Sequence, residues 1–332
     1  MKILLVHPVL LPPRDYGGVE RVVLWLTQGL VECGHEVYVA AAPGSQLPEG
    51  SHLIEVRNNF QVEDWLRILP KGLDVVHLMA PMGESLWSAW PVPAVLTVHG
   101  NGQIGEKFPH NSVFLSRDHA RRHGAKNYVY NGINPSEYLF DPASKKDWNL
   151  FLSKTSWSVK NVRGAARWSR IAQRPLRIAG GNRPWLLRLQ CQFSRALEWV
   201  GPVAGLRKAE LLASARALLF PVKWPEPFGL VVAEALISGT PVIANPRGSL
   251  TELIPPHVGA LPSSDEEWLE LLRSSKTIAP PEVCRAWALE QFHYLGMAKN
   301  YEKIYKKVIG GEMLQETQPM TLDISENRDW RT

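Results

Sequence analysis

The chain predicts an α/β protein of two doubly wound, Rossmann-like domains, and three observations carry that expectation. Short apolar runs alternate with helix-period segments from the first residue, the pattern of parallel strands joined by crossover helices. The alternation breaks once, in a polar, proline-containing stretch at about residues 134–147, and then restarts. At 332 residues with 45% hydrophobic content, the chain is long enough for each half to build its own core.

In the first half, the apolar runs at 3–6, 37–41, 53–56, 75–78, 94–98 and 113–115 read as strands. Between the first two, a helix starting near Gly18 places Val19, Val22, Val23, Leu26 and Leu30 on one face, and Gly34 stops it. In the second half the strand signals lie at 149–152, 176–179, 217–221 and 241–244. After Pro280 the pattern is helical to about Ile309, and the polar remainder to Thr332 is expected to fray. The expected boundaries are 1–140 for an amino-terminal, acceptor-side domain and 141–295 for a nucleotide-sugar domain. Residues 296–312 are expected to form a helix packing back on the first domain, and 313–332 a polar tail. Ligands of doubly wound sheets bind outside the carboxyl ends of the strands. The expected site is therefore a cleft onto which both domains turn those ends.

Composition narrows the function. Cys33, Cys191 and Cys284 are widely spread and lack CxxC spacing, which suggests neither a disulfide framework nor a zinc site and fits a reducing cytoplasm. The opening apolar run is cut by His7 and Pro8, and no stretch reaches the ~20 apolar residues of a spanning helix. The net charge of +5 is unevenly placed, with basic residues far outnumbering Asp147, Glu198 and Glu210 between Lys145 and Arg216. That bias suits a nucleoside diphosphate, an acidic membrane or a nucleic acid, and charge alone does not choose among them.

The most informative stretch is Glu226-Pro-Phe-Gly-Leu-Val-Val-Ala-Glu234, two carboxylates eight residues apart around a helix entrance. Pro227 suits the first helical position, which leaves the amides of Phe228, Gly229 and Leu230 facing an anion. Glu226 would then sit at the mouth and Glu234 roughly 7–10 Å deeper. One can accept from hexose hydroxyls and the other from ribose hydroxyls, with a diphosphate between. The plainer alternative is an acidic first turn and an incidental glutamate.

Gly17-Gly18 follows the first strand through a loop with Pro12, Pro13 and Arg14, and glycines there let backbone approach a phosphate, or simply make a tight turn. No GxGxxG follows that strand, so a nicotinamide-dependent enzyme is not expected. His99 ends the run Val95-Leu-Thr-Val, where its imidazole can reach a sugar hydroxyl or serve structure. His119 and His123 have metal-like spacing beside Asp118, but Arg121 and Arg122 between them oppose a dication. Lys154 and Lys160 flank a Ser/Thr-rich loop after the strand at 149–152, and two ammonium groups can neutralise a leaving diphosphate. The chain has no Asp-x-Asp, so no metal is expected.

With these pieces in order, the chain resembles the family 4 retaining glycosyltransferases of the GT-B fold, from Met1 to about Ile309. The strongest part, Phe220-Pro through Glu226, Glu234 and Ser-Gly-Thr-Pro-Val-Ile-Ala244, is similar to the family's E-x7-E element. Gly17-Gly18-Val-Glu20-Arg21 resembles the phosphate loop, and Thr97-Val-His99-Gly the sugar-contacting histidine strand. Tyr130-Asn-Gly-Ile-Asn134 resembles the end of the first domain. The resemblance puts Lys154 and Lys160 on the diphosphate and Gly180 and Val203 near the base. Four departures stand out: Lys154 replaces an arginine, Asn161 a glycine, Pro246-Arg-Gly-Ser-Leu the more usual glycine pair before Glu252, and Ala179-Gly-Gly-Asn182 the usual glycine-acid-glycine pattern.

The resemblance implies a cytoplasmic, metal-independent enzyme without cofactor. It would move a hexose, glucose from UDP-glucose as the leading guess, to a saccharide or lipid-linked acceptor. Arg117, Arg121, Arg122 and Lys126 on one helix add an expected attachment to the inner membrane face. The rivals are a GT-B epimerase or phosphorylase, and a nucleic-acid-binding protein using the basic second domain with Trp148, Trp157, Trp168, Trp185 and Trp199.

Overall fold

The computed structural model describes residues 1–13, 17–57, 60–82, 87–181 and 185–328. Arg14 and Asn182 lie outside them. The chain forms two compact units, Met1–Ile133 with Phe292–Ile324, and Asn134–Gln291 with Ser325–Thr332.

The first unit is built on β1 (Lys2–Val6), β2 (Glu36–Ala41), β3 (Ser51–Glu55), β4 (Val75–Leu78), β5 (Ala94–Thr97) and β6 (Ser112–Val113). They form one parallel sheet in the order β3-β2-β1-β4-β5-β6. β4 and β5 are buried at every residue and β1 at all but Lys2, because helices cover both faces of such a sheet. The helix Gly18–Glu32 buries Val22, Val23, Trp25, Leu26 and Leu30. Its Gly29 lies so close to the helix Tyr294–Ile309 that an added Cβ would come within 2.8 Å of Ala298 Cβ. That second helix is also tied to the sheet through a buried polar chain. His77 on β4 bonds the Tyr305 hydroxyl and Thr97 on β5, each at 2.7 Å, and Thr97 bonds the Tyr301 hydroxyl at 2.7 Å.

The segment after Ile309 does not fray along its described length. Met320 donates its N–H to the His123 carbonyl, Thr321 to that of Glu106 and Leu322 to that of Arg122. Leu314 and Thr321 are buried. The loop at 105–126 has backbone groups that need partners, and the tail supplies them, a demand that composition does not display.

The second unit repeats the winding. Its strands β7 (Asn149–Leu152), β8 (Leu176–Ala179), β9 (Leu197–Gly201), β10 (Ala217–Phe220), β11 (Val242–Ala244) and β12 (Gly259–Ala260) run in the order β12-β11-β10-β7-β8-β9, all parallel. The strand order therefore reverses at β1/β4 in one unit and β7/β10 in the other, the position where such sheets open a crevice. Edge strands β9 and β12 carry no expectation above: β9 has Glu198 exposed at its second residue, and β12 is two residues long. Lys160, Arg167, Arg174, Arg177 and Lys208 of the basic stretch each pair with a carboxylate.

Arg122 corrects one expectation. Its side chain is fully buried and bonds Asp118 at 2.7 Å, so it does not join Arg117, Arg121 and Lys126 on an exposed face. A guanidinium drawn onto a carboxylate four residues back is held inward by that bond. Among the described residues, no helix is long and apolar enough to cross a membrane.

Candidate active site

In the second unit the chain leaves β10 and reaches Glu226, whose backbone is pinned from the side. Gly248 (φ +62°) forms a bridge with Glu226 so close that a Cβ on it would meet the Glu226 N and O at 2.5 Å. Ser249 then donates its N–H to the Glu226 carbonyl at 3.0 Å and its hydroxyl to the Phe228 carbonyl at 2.8 Å. The helix begins at Leu230, not at Pro227. Gly229 is its N-cap in the left-handed region (φ +88°), a conformation that fits glycine and turns the chain after Phe228 rather than before it. At the mouth, Val232 donates its N–H to the Gly229 carbonyl, and helix geometry gives the N–H groups of Leu230 and Val231 no intrahelical acceptor. Phe228 is buried.

Glu226 is the centre of a polar cluster. Its Oε2 accepts from Lys160 Nζ and from the indole N–H of Trp224, both at 2.7 Å. The Lys160 ammonium also lies 4.6 Å from the centre of the Trp224 ring and 5.2 Å from that of Phe220. Lys154 is exposed and sits 4.8 Å over the ring of Trp157, which meets Trp224 edge-on at 6.0 Å. The structure thus brings Lys154, Lys160 and Glu226 together. Of the two tryptophans joining them, Trp157 was expected only in the rival nucleic-acid reading, and Trp224 carried no expectation although it stands two residues before Glu226. Asn161 takes the left-handed conformation (φ +55°), which glycine favours and asparagine adopts more readily than most residues, and caps the next helix through Gly164 N–H.

Glu234 has separate partners. It has no exposed surface, and its Oε1 accepts from Lys208 Nζ at 2.6 Å and from the Tyr138 hydroxyl at 2.9 Å. Gly180 (φ +126°) follows β8 against β7, where a Cβ would stand 1.9 Å from the Ser153 carbonyl oxygen. Its N–H reaches the Gly201 carbonyl at 3.0 Å, which ties the carboxyl ends of β8 and β9. Val203 lies two residues beyond Gly201, half-buried, ahead of the helix Gly205–Ser214.

In the first unit, Gly17 is buried at the mouth of the Gly18–Glu32 helix, where a Cβ would come within 2.4 Å of Glu20 Oε2 and 2.7 Å of Pro13 Cγ. A carboxylate therefore lies against Gly17, one of the two glycines expected to meet a phosphate, and its charge opposes the close approach of an anion. His99 follows β5 with a buried Nε2 that has no hydrogen-bond partner among the described residues, and burial pushes the imidazole down to about 3. Past the end of β1, His7 is 7% exposed, and among the described residues neither ring nitrogen has a hydrogen-bond partner. Burial lowers its pKa and Glu20 opposes that shift. Its place at the strand-order reversal is the signal that could have found it.

His119 and His123 are spent on structure. His119 Nδ1 accepts the Leu115 N–H and its Nε2 donates to the Gly100 carbonyl at 2.9 Å. The two nitrogens of His123 face the His119 and Asn101 carbonyls. Burial, then the neighbouring imidazole and Arg122, holds His119 well below its ordinary range. These contacts fix the loop directly after His99. Among the described residues, no group of three or more His, Cys, Asp or Glu side chains can hold a metal.

Comparison with known proteins gives one answer for both units. The profile described as Glycosyltransferase Family 4 matches residues 16–134, and that described as Glycosyl transferases group 1 matches residues 150–272. An uncharacterised glycosyltransferase of Methanocaldococcus jannaschii is 25% identical over 75% of this chain and 82% of its own. AviGT4, a glycosyltransferase involved in avilamycin A biosynthesis, superposes with a TM-score of 0.78 and 26% identity over 93% of this chain and 98% of its own. Anabaena HepE in complex with UDP-glucose superposes with a TM-score of 0.67 over 93% of this chain and all of its own, and at 16% identity shares the fold. The chain belongs to the family 4 glycosyltransferases of the GT-B fold.

Proposed function

We propose that the protein transfers a hexose from UDP-glucose to a saccharide or lipid-linked acceptor, with retention of configuration and without a metal. The observation that supports this reading best is the state of Glu226. Both of its anchors grip Oε2, and Oε1 carries no hydrogen bond among the described residues, so one oxygen is held and the other is presented to a hydroxyl-bearing ligand. HepE, which shares the fold, was solved with UDP-glucose.

In this reading Glu226 and His99 address the hexose, Lys154 and Lys160 the diphosphate, and Glu234 the ribose. At the helix mouth that Phe228 and Gly229 lead into, the amides of Leu230 and Val231 face the leaving phosphate, and Gly180 and Val203 border the base. Gly17 and Gly18 are assigned to the donor phosphates, with Glu20 setting how closely an anion comes. Two ammonium groups and preorganised N–H donors stabilise charge that develops on the leaving diphosphate. The leaving phosphate then assists removal of the acceptor proton, a front-face displacement that gives retention.

Incubation with UDP-glucose, UDP-galactose, GDP-mannose and ADP-glucose, followed by detection of the free nucleotide, tests the donor. UDP release from UDP-glucose is expected, whereas preferential GDP release would overturn the assignment. An epimerase would interconvert UDP-sugars without releasing UDP, so the same assay separates that reading. Attachment to the cytoplasmic face of an anionic membrane is proposed on Arg117, Arg121 and Lys126, at about 1 kcal/mol per cation. Co-sedimentation with anionic but not neutral vesicles, lost at high salt, is the result it requires.

A further inference from the structure

We propose that Trp224 is the anchor that keeps Glu226 in its working orientation when Lys160 is drawn to the donor diphosphate. This rests on the donor chemistry proposed above. Without ligand, Lys160 and Trp224 both hold Glu226 Oε2 at 2.7 Å. A diphosphate carries more negative charge than one carboxylate, so it outcompetes Glu226 for the Lys160 ammonium. Glu226 then keeps a single side-chain anchor, the Trp224 indole N–H.

Three features suit Trp224 to that task. The Glu226 backbone is already fixed by Gly248 and Ser249, so only the carboxylate's rotation remains to be set. The Trp224 ring is itself held edge-on by Trp157, a contact that does not depend on Lys160. Its neutral N–H has no use for a phosphate's charge comparable to that of an ammonium, so binding of the donor does not pull it away. Phenylalanine would keep the face for Lys160 and lose the donor. Histidine would keep a donor on a smaller ring.

The test compares Trp224→Phe, Trp224→His, Glu226→Gln and the Trp224→Phe/Glu226→Gln double variant in acceptor-free hydrolysis of UDP-glucose, with UDP affinity by calorimetry. Loss of a hydrogen bond to a charged group predicts a fall in kcat for Trp224→Phe on the order of tenfold or more. UDP affinity should stay within about threefold, since the indole does not touch the nucleotide in this reading. Trp224→His should recover part of kcat, and the double variant should be no slower than Glu226→Gln. Wild-type turnover by Trp224→Phe, or losses that multiply in the double variant, would overturn the proposal.

A second measurement stands apart from turnover. The Trp224 indole N–H resonance should move upfield in Glu226→Gln and stay in place when wild type is saturated with UDP. An unmoved resonance in the variant, or a shift to the free position with UDP, contradicts the anchor. If wild type released no UDP from UDP-glucose, the donor reading would fail while this resonance still decided the role of Trp224.

Discussion

Glu234→Ala strands a cation inside the second unit. Glu234 has no exposed surface, and the Lys208 side chain that it holds at 2.6 Å is itself only 9% exposed. Breaking a buried ion pair by removing one partner costs about 3–5 kcal/mol, because the remaining charge stays desolvated. For a unit of this size that corresponds to a fall in Tm of roughly 6–20 °C. Lys208→Met alone should also destabilise, and the double variant should regain much of the loss of Glu234→Ala, since an apolar side chain no longer carries an unpaired charge. Thermal and urea unfolding at neutral pH give these values. UDP affinity, measured where every variant is folded, should fall on the order of tenfold or more for Glu234→Ala if the carboxylate also serves the ribose. A Glu234→Ala protein that melts within about 2 °C of wild type would refute the buried-pair argument. Unchanged UDP affinity would remove the ribose role and leave Glu234 an anchor for Lys208 and Tyr138.

The remaining predictions are more direct. Glu226→Ala should lower turnover far more than it weakens UDP binding, because its free oxygen is assigned to the hexose; equal losses in kcat and UDP affinity would contradict that assignment. Activity should survive EDTA, and complete loss reversed by magnesium or manganese would show that the leaving-group chemistry has been misassigned. Stability should fall on acidification. His77 is fully buried and pushed down to about 3, while an unfolded histidine titrates near 6.5, so between these values the unfolded chain binds more protons. Stability is complete above about 6.5 and declines toward 3 by at most about 1.4 kcal/mol per pH unit for this residue. Urea titrations that show no decline between about pH 7 and pH 5 would contradict its buried neutral state.

The sequence was legible where burial is continuous. β7 and β8 lie where the apolar runs put them, and the Gly18–Glu32 helix starts at the residue its apolar face implies. The edge strands of the second unit were not legible: β9 exposes Glu198, and an edge needs no unbroken apolar run. Within the site, charge type and spacing pointed to Lys154, Lys160 and Glu226, which the fold gathers in one cluster. Their mutual pairing was hidden, because a bond from Lys160 to a carboxylate 66 positions away leaves no trace in local pattern. His7 was passed over as an interruption of an apolar run. Only the strand order shows that it stands at the crevice. Arg122 was counted as a surface cation because composition does not reveal that Asp118 draws it inward.

The anomer released from UDP-glucose is the measurement that tests the account most directly. In proton NMR of the acceptor-free reaction, retaining transfer from UDP-glucose to water predicts UDP and α-glucose as the first products, with the β-anomer growing in only by mutarotation. Initial release of β-glucose would contradict the front-face mechanism. Failure to release UDP under conditions where another sugar nucleotide is consumed would contradict the donor.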